Sequence, residues 1–587
     1  MERCGHRNAT HGSSPPGHPA GMHYVVLATD YDGTVAHDGV VDEPTLAALE
    51  RLRAASRRLI LVTGRELPDL QRVMPRLDLF DFVVVENGAL LYRPETREEQ
   101  PLVEPPPPRF VERLRELAVD PLSVGRVIVA SWEPNEGRVL QAIRELGLEQ
   151  QIIFNKGAVM VLPPGINKES GLRAALAALE LSPHNCVAIG DAENDQAMLQ
   201  LSGLPVAVAN ALPSVQETAS LVTDGARGAG VAELIDRLIA TDLAEIDAAS
   251  PRQRVALARQ GEDVLWLVPA RQSVLLAGAS GGGKSTLSTG LMERLHAERF
   301  QYCVIDPEGD YEGTEEAIGI GSAAQSPTVD GVMELLRKTG NNVVVNLLGL
   351  KLADRPGFLA ALLPELLGLR ARTGRPHFVL IDEAHHMLPA SWDPGGAALP
   401  AELKGFLFIT VHPDRLAARV LDCVDRIMVV GAEPCSALRA FCEARGLPAP
   451  NGDMSLEQGE ALTLTPDAPR PAPVTVIPGS GQRRRHLRKY SEGRLGEDKS
   501  FFFRGADERL NLRAHNLSLF VELADGVDKA TWQWHRERGD YSHWIADSIK
   551  DPELAEEAAA IEHGDLPPDA ARQKLREAIE RRYTLPA

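Results

Sequence analysis

Short apolar runs bounded by glycine-containing or acidic turns recur through the first two thirds of the chain, at 24–28, 59–62, 82–85, 187–189, 274–277, 303–305, 343–346, 378–381, 407–410 and 427–430. Runs this short, rich in Val, Ile and Leu, read as strands buried on both faces. Between them, segments such as 43–55 and 287–296 place apolar residues at helical spacing. The alternation predicts an α/β protein of two doubly wound parallel-sheet domains, each sheet covered by helices on both faces. Residues 244–258 read as a connector between the sheets, and the Pro- and Gly-rich 466–489 as a second linker. The second α/β domain then spans 259–465, and 490–587, mostly helical in pattern, forms an accessory domain. The chain shows no internal repeat.

At 587 residues, 44% hydrophobic and 25% charged, the composition is that of an ordinary globular protein of several domains. The net charge of −20 argues against a broad, non-specific grip on nucleic acid or on a membrane surface, since both reward clustered Lys and Arg. The basic strip 483–489 is a local exception and reads as a solvated linker end. No apolar stretch approaches the length needed to span a bilayer. Six cysteines are scattered without metal-ligand spacing or a disulfide pattern, which fits a reducing cytoplasm. Residues 1–21 lack the apolar core of a signal peptide and read as a disordered tail, or a misassigned start before Met22.

Two strand ends carry chemistry. The first run closes on Asp30-Tyr31-Asp32-Gly33-Thr34. Carboxylates two apart at a strand end project toward one face, and Gly33 lets the chain leave sharply. A carboxylate attacks phosphorus when a divalent cation neutralises the approaching charge, and a second carboxylate can shuttle the proton. The bland alternative is an acidic turn. Three further segments argue against it: Thr63-Gly64-Arg65 ends another strand, Lys168 opens a helix after Gly165-Ile166-Asn167, and Gly190-Asp191-Ala192-Glu193-Asn194-Asp195 ends a third. In open α/β sheets, sites form beyond the carboxyl ends of the strands, where all these groups fall.

The second is Gly278-Ala279-Ser280-Gly281-Gly282-Gly283-Lys284-Ser285, between the strand at 274–277 and a helix starting near Thr286. Strand, Gly-rich loop and helix together make the setting of a P-loop. Gly278, Ser280, Gly281 and Gly283 let successive backbone N–H groups face the phosphates of ATP, and Lys284 reaches the terminal ones. Ser285, followed by Thr286, would hold Mg2+. Asp382 and Glu383 end the strand at 378–381, the first to orient the metal's water shell and the second to polarise an attacking water. That pairing favours hydrolysis over transfer to an acceptor.

The four-part pattern of the first site resembles the haloacid dehalogenase superfamily of phosphatases. Over 22–243 it is similar to the branch of sucrose-phosphate, phosphoglycolate and sugar-phosphate phosphatases, with Glu86-Asn87-Gly88-Ala89 also matching. The resemblance implies Asp30 as nucleophile, Asp32 as general acid/base, and Mg2+ held by Asp30, the main-chain carbonyl of Asp32 and Asp191, with Asp195 bracing it. It implies Thr63, Gly64, Lys168 and Asn194 around the transferring phosphoryl group. A core at 22–87 and 164–243 would carry a cap at 88–163 that closes over a small phosphorylated metabolite. The second site, together with Asp306-Pro307-Glu308-Gly309-Asp310-Tyr311 and Ile381-Asp382-Glu383-Ala384-His385, resembles the HerA/FtsK group of motor ATPases over about 261–465. That implies a homo-oligomer assembled through this domain, with Arg415, Arg419 or Arg426 reaching across a subunit interface; the alternative for each is a surface arginine. Where the group has Gln before an Arg-Pro or similar pair, this chain has Ile409-Thr410-Val411-His412-Pro413, which leaves Thr410 or His412 to sense the terminal phosphate.

The leading expectation is a Mg2+-dependent phosphomonoesterase fused to an ATP-hydrolysing domain. A kinase–phosphatase pair and a nucleotide-gated regulatory or assembly protein are the alternatives. In the C-terminal region Trp532, Trp534, Trp544 and Tyr541 read as the core of a small helical domain, against a ligand- or partner-binding groove.

Overall fold

The computed structural model describes residues 22–155, 157–279, 282–391, 403–450, 452, 454–479, 490–491, 495, 499–506, 508–549 and 551–583. The expected tail at 1–21 and the basic strip at 483–489 lie outside these residues.

The first half carries β1 (Val26–Asp30), β2 (Arg58–Val62), β3 (Phe82–Val85), β4 (Leu90–Arg93), β5 (Glu98–Pro101), β6 (Ser123–Val124), β7 (Val129–Trp132), β8 (Gln151–Asn155), β9 (Ala158–Leu162), β10 (Cys186–Gly190), β11 (Leu204–Ala207) and β12 (Leu221–Val222). Eight of them form one sheet in the order β12-β11-β10-β1-β2-β3-β4-β5, parallel from β12 to β3. β4 and β5 continue it antiparallel, so the cap expected from residue 88 begins only after them. The reason lies in Leu90 and Leu91, which are buried in the core of the sheet, where a cap segment would be solvated. The segment expected as a cap contains a separate four-stranded antiparallel sheet, β6-β7-β9-β8, backed on one face by the helices Pro108–Glu116 and Glu136–Glu145 through Phe110, Leu114 and Val139.

The second sheet is built from β13 (Val255–Gln260), β14 (Asp263–Leu267), β15 (Val274–Ala277), β16 (Tyr302–Asp306), β17 (Ile318–Ile320), β18 (Val343–Asn346), β19 (Phe378–Ile381), β20 (Phe406–Thr410), β21 (Arg426–Val429), β22 (Glu460–Thr465) and β23 (Ala468–Val476). Its order is β14-β13-β23-β22-β21-β15-β20-β19-β16-β18-β17, and the strands from β21 to β17 are parallel. Alternate residues of these strands enter two separate cores: Leu275, Ile305 and Val379 on one face, Leu276, Val304 and Leu380 on the other. That double burial explains runs with no polar alternation.

The described residues of both expected linkers are structured. The connector at 244–258 holds the helix Ala244–Asp247 and the start of β13. The stretch at 466–489 begins as β23, which pairs antiparallel with β22 and, at its end, with β13. Three prolines at alternate positions, Pro469, Pro471 and Pro473, suggested a linker. They precede the β13 pairing at Thr475 and Val476, on a stretch with one neighbour, where a missing N–H removes no ladder bond. The second sheet is thus mixed, not wholly parallel.

The two sheets meet at the amino ends of their strands. His184, just ahead of β10, stacks on Phe300 at 3.9 Å between ring centroids, and Asn185 Oδ1 contacts His377 Nε2 at 3.1 Å just ahead of β19. Arg375 Nη2 donates to Glu180 O at 2.6 Å, and Arg271 Nε, ahead of β15, donates to Asp247 Oδ2 at 2.6 Å. Asn185 and Arg375 are fully buried here. The carboxyl ends, which carry the chemistry, therefore face away from one another, each a strand length of roughly 15–20 Å from the interface.

Beyond residue 490 the short hairpin β24 (Phe501–Phe503) and β25 (Leu512–Ala514) precedes helices at Leu517–Gly526, Lys529–Glu537, Pro552–His563 and Pro568–Tyr583. Trp532, Tyr541 and Trp544 are buried with Phe501, Phe503 and Phe520 in a shared core.

Candidate active site and a second strand-end cluster

Asp30 ends β1 and Asp191 follows β10, its parallel neighbour, so the two carboxylates emerge side by side. Carboxylate oxygens of Asp30, Asp191 and Asp195 all lie within 4.8 Å of one another, and all three residues are buried. Lys168 Nζ donates to Asp30 Oδ1 at 2.5 Å and also to Asp195 Oδ1. It is the first residue of the helix Lys168–Ala178, whose cap Asn167 accepts from Ser170 N at 3.0 Å. Asp195 Oδ2 accepts from the N–H groups of Asp191 and Ala192 at 3.0 and 2.9 Å, which fixes the turn carrying Asp191.

Burial pushes the Asp30 carboxyl up to about 7; Asp195 and Asp191 push the same way and Lys168 opposes them. For Lys168, burial disfavours the charge, but the Asp195 and Asp30 carboxylates outweigh it and raise the group above the ordinary lysine range. Three clustered buried carboxylates, two of them bonded to one lysine, leave a negative excess, which a cation would relieve. The donor set, all hard oxygen, suits Mg2+. Gly33, at φ +92°, makes room for it: a Cβ there would lie 2.3 Å from Asp191 Oδ2.

Asp32 stands apart from this cluster. Its two oxygens accept from Arg65 Nη2 and Nε at 2.7 Å each, and its side chain is 41% exposed. Thr63, buried at the end of β2, accepts from Arg65 N through Oγ1 at 3.2 Å. A Cβ on Gly64 would lie 3.7 Å from Met160 Sδ, so β9 of the small sheet packs against this loop. Asn194 Nδ2 donates to Asn87 Oδ1 at 3.3 Å, while Asn194 Oδ1 is buried without a hydrogen-bond partner among the described residues.

Two residues of these motifs received no role from sequence reasoning. Arg65 is the clamp on Asp32. Glu86, buried at φ +54°, accepts from the N–H groups of Arg126 and Val127 at 2.8 Å and of Ile128 at 2.9 Å, so a core carboxylate holds the cap loop ahead of β7. The available signal was a charged residue placed beside the Gly or Asn of a strand-end turn, in Thr63-Gly64-Arg65 and Glu86-Asn87-Gly88.

At the second cluster, β15 leads through Gly278 (φ +150°) into the helix Lys284–Ala297. Ser280 and Gly281 lie outside the described residues. Gly283 takes φ +100°, and a Cβ on Gly278 would lie 2.2 Å from Val430 O, so both positions need glycine. Lys284 Nζ donates to the carbonyls of Gly278 and Ala279, at 2.7 and 3.0 Å. Ser285 is exposed and Thr286 half-buried on the first turn.

Asp382 and Glu383 end β19, which is separated from β15 by β20. Burial raises the Asp382 carboxyl well above the usual range, with Asp306 and Asp310 adding to it; burial and then Glu308 raise Glu383. Asp306 accepts from the N–H groups of Asp310 and Tyr311 at 3.0 and 2.9 Å, fixing the loop that carries Glu308. Of the residues proposed as terminal-phosphate sensors, Thr410 is fully buried, its Oγ1 3.1 Å from His385 Nδ1 and accepting from His412 N at 2.9 Å.

Comparison with known proteins bears on the first site. The haloacid dehalogenase-like hydrolase profile matches residues 27–119 and 133–235. Phosphoglycolate phosphatase 2 of Saccharolobus solfataricus is 30% identical over 226 residues, 37% of this chain and 94% of that protein. A phosphoglycolate phosphatase of Haloarcula marismortui is 31% identical over 218 residues, 36% of this chain and 95% of that protein. A solved haloacid dehalogenase-like hydrolase from Bacteroides thetaiotaomicron is 21% identical, with a TM-score of 0.33, over 37% of this chain and 99% of its own.

Proposed function

Since the chain belongs, through residues 27–235, to the haloacid dehalogenase-like hydrolases, we propose that it is a Mg2+-dependent phosphomonoesterase acting on a small phosphorylated metabolite of the phosphoglycolate or sugar-phosphate class. The observation that carries this reading is the convergence of Asp30, Asp191 and Asp195 around Lys168. Mg2+, held by Asp30, the Asp32 main-chain carbonyl and Asp191, would supply charge neutralisation for the incoming phosphate. Asp30 attacks phosphorus as the bond to the leaving oxygen breaks, and Asp32 gives that oxygen its proton. Water, its proton taken back by Asp32, then attacks the phosphorus of the aspartyl phosphate and frees Asp30. Thr63, Lys168 and Asn194 hold the phosphoryl oxygens. Phosphate release from a chromogenic phosphoester and from a panel of sugar phosphates and phosphoglycolate, with Mg2+ and with chelator, tests this. Turnover that survives chelation and Asp30→Asn would sink it.

The second cluster supports ATP binding and hydrolysis by 259–465. What favours this is Lys284 opening a 14-residue helix after a Gly-rich turn, with Asp382 and Glu383 at a strand end of the same sheet. The opposed strand ends argue against a kinase–phosphatase pair that hands one substrate between sites. Labelled ATP with candidate acceptors decides: free phosphate supports the ATPase, a labelled acceptor the kinase. ATP-dependent light scattering without turnover would favour a nucleotide-gated assembly protein, assembled through this domain.

A further inference from the structure

In the second cluster Glu308, on the loop after β16, is met by a lysine from far along the chain. Lys499 Nζ donates to Glu308 Oε2 at 3.0 Å across 191 residues of sequence. Its backbone is anchored: Trp544 Nε1 donates to Lys499 O at 3.0 Å, and Arg513 Nε donates to the next residue's Ser500 Oγ at 2.9 Å. Trp544 in turn lies 5.4 Å from the Phe501 ring and 5.0 Å from Phe520, in the aromatic core of the C-terminal region. A fixed backbone therefore projects a long cationic side chain toward a fixed acidic loop. Glu308 lies two residues beyond Asp306, whose side chain pins that loop. The charges of Lys284 and Lys499 both lower the Glu383 carboxyl, against burial, Glu308 and Asp310.

Resting on the reading of this cluster as an ATP site, we propose that Lys499 is a terminal-phosphate ligand delivered to it by the C-terminal region. Lys499 bonds Glu308 here, and an incoming triphosphate would draw it off. Both partners of the ion pair are about two-fifths exposed, at 41% and 40%, and pairs so solvated are among the weakest in proteins. A phosphate oxygen bearing more charge than a carboxylate competes well for the same ammonium. Lys499 then adds a second positive charge, beside that of Lys284, at the terminal phosphate.

The test is binding of ADP and of a non-hydrolysable ATP analogue, with ATP turnover, on the full chain. Lys499→Met is expected to weaken the analogue about tenfold or more while leaving ADP unchanged, and to lower ATP turnover. Lys499→Arg should restore most of both. Glu308→Gln, which releases the lysine, should tighten the analogue and not ADP. Phosphoester hydrolysis at the first site should not change in any of the three, which also reports that they fold. An unchanged analogue-to-ADP ratio in Lys499→Met overturns the proposal and marks the pair as a structural pin. If the unaltered chain binds neither nucleotide, the ATP reading itself fails. If Lys284→Ala abolishes binding while Lys499→Met keeps the ratio, the Lys499 proposal falls alone.

Discussion

The two strand-end clusters use the same parts in opposite states. Each places a lysine at the first residue of a helix behind a glycine-containing turn, and each gathers carboxylates at parallel strand ends. Lys168 is buried between Asp30 and Asp195, whereas Lys284 is folded onto the carbonyls of its own loop. The first site's acids are therefore held by an internal cation that balances part of their charge. In the second, the bonds of Lys284 to its own loop are to neutral carbonyls, and its charge acts on Glu383 without a buried pairing like that of Lys168. Buried charges need a partner at all times, and half-exposed ones can wait in water.

The sharpest break between the sites is chemical. On the reading proposed above, Asp30→Asn removes the nucleophile and should cut phosphoester turnover by about three orders of magnitude or more, with any ATP hydrolysis at the second cluster unchanged, as read by parallel phosphate-release assays. Next comes stability. Lys168→Met leaves Asp30 and Asp195 buried without their cation and should cost about 3–5 kcal/mol, while Lys284→Met should stay within about 0.5 kcal/mol. Urea unfolding of both variants checks this, and equal losses would mean that the two lysines are held alike. Gly33→Ala forces a Cβ against Asp191 at a left-handed φ, and should cost about 1–3 kcal/mol together with most Mg2+ affinity.

Smaller effects sharpen the picture. Metal binding requires ionised ligands, so below about pH 7 a proton on Asp30 competes with Mg2+, and affinity should fall by about tenfold per pH unit. Calorimetry in two buffers of different ionisation enthalpy should show close to one proton released. The sign for stability is the reverse. A carboxyl raised in the folded state stabilises it fully below the ordinary value of 3.8, and that contribution is lost as pH rises through about 7, so the metal-free chain weakens over that window and Mg2+ restores it. Last, Glu86→Gln should raise KM by a few-fold to about tenfold with a small change in melting temperature, because three N–H groups of the cap loop lose a charged acceptor.

Much of the first site was legible because its chemistry sits in short motifs at strand ends. Asp30, Thr63, Lys168 and Asp191 each follow a recognisable apolar run or open a helix, and a parallel sheet brings such ends together whatever the rest does. Arg65 and Glu86 were in view but without a role, since a charged residue in a turn reveals nothing of what faces it. Lys499 was not legible at all: its partner is 191 residues away. The Pro-rich stretch from 466 misled for a related reason. Proline speaks against a central strand, yet on a stretch with one neighbour it costs nothing.

From the sequence alone came the two α/β sheets, their strand ends and the two lysine-bearing turns, because periodicity and glycine placement are local properties of the chain. What only the tertiary structure decided is how the parts face one another: amino edges joined, chemistry at opposite ends, Asp32 held by Arg65, and the C-terminal region reaching Glu308. Such contacts arise from packing between segments distant in sequence, and no local pattern encodes the partner of a side chain that meets it across a fold.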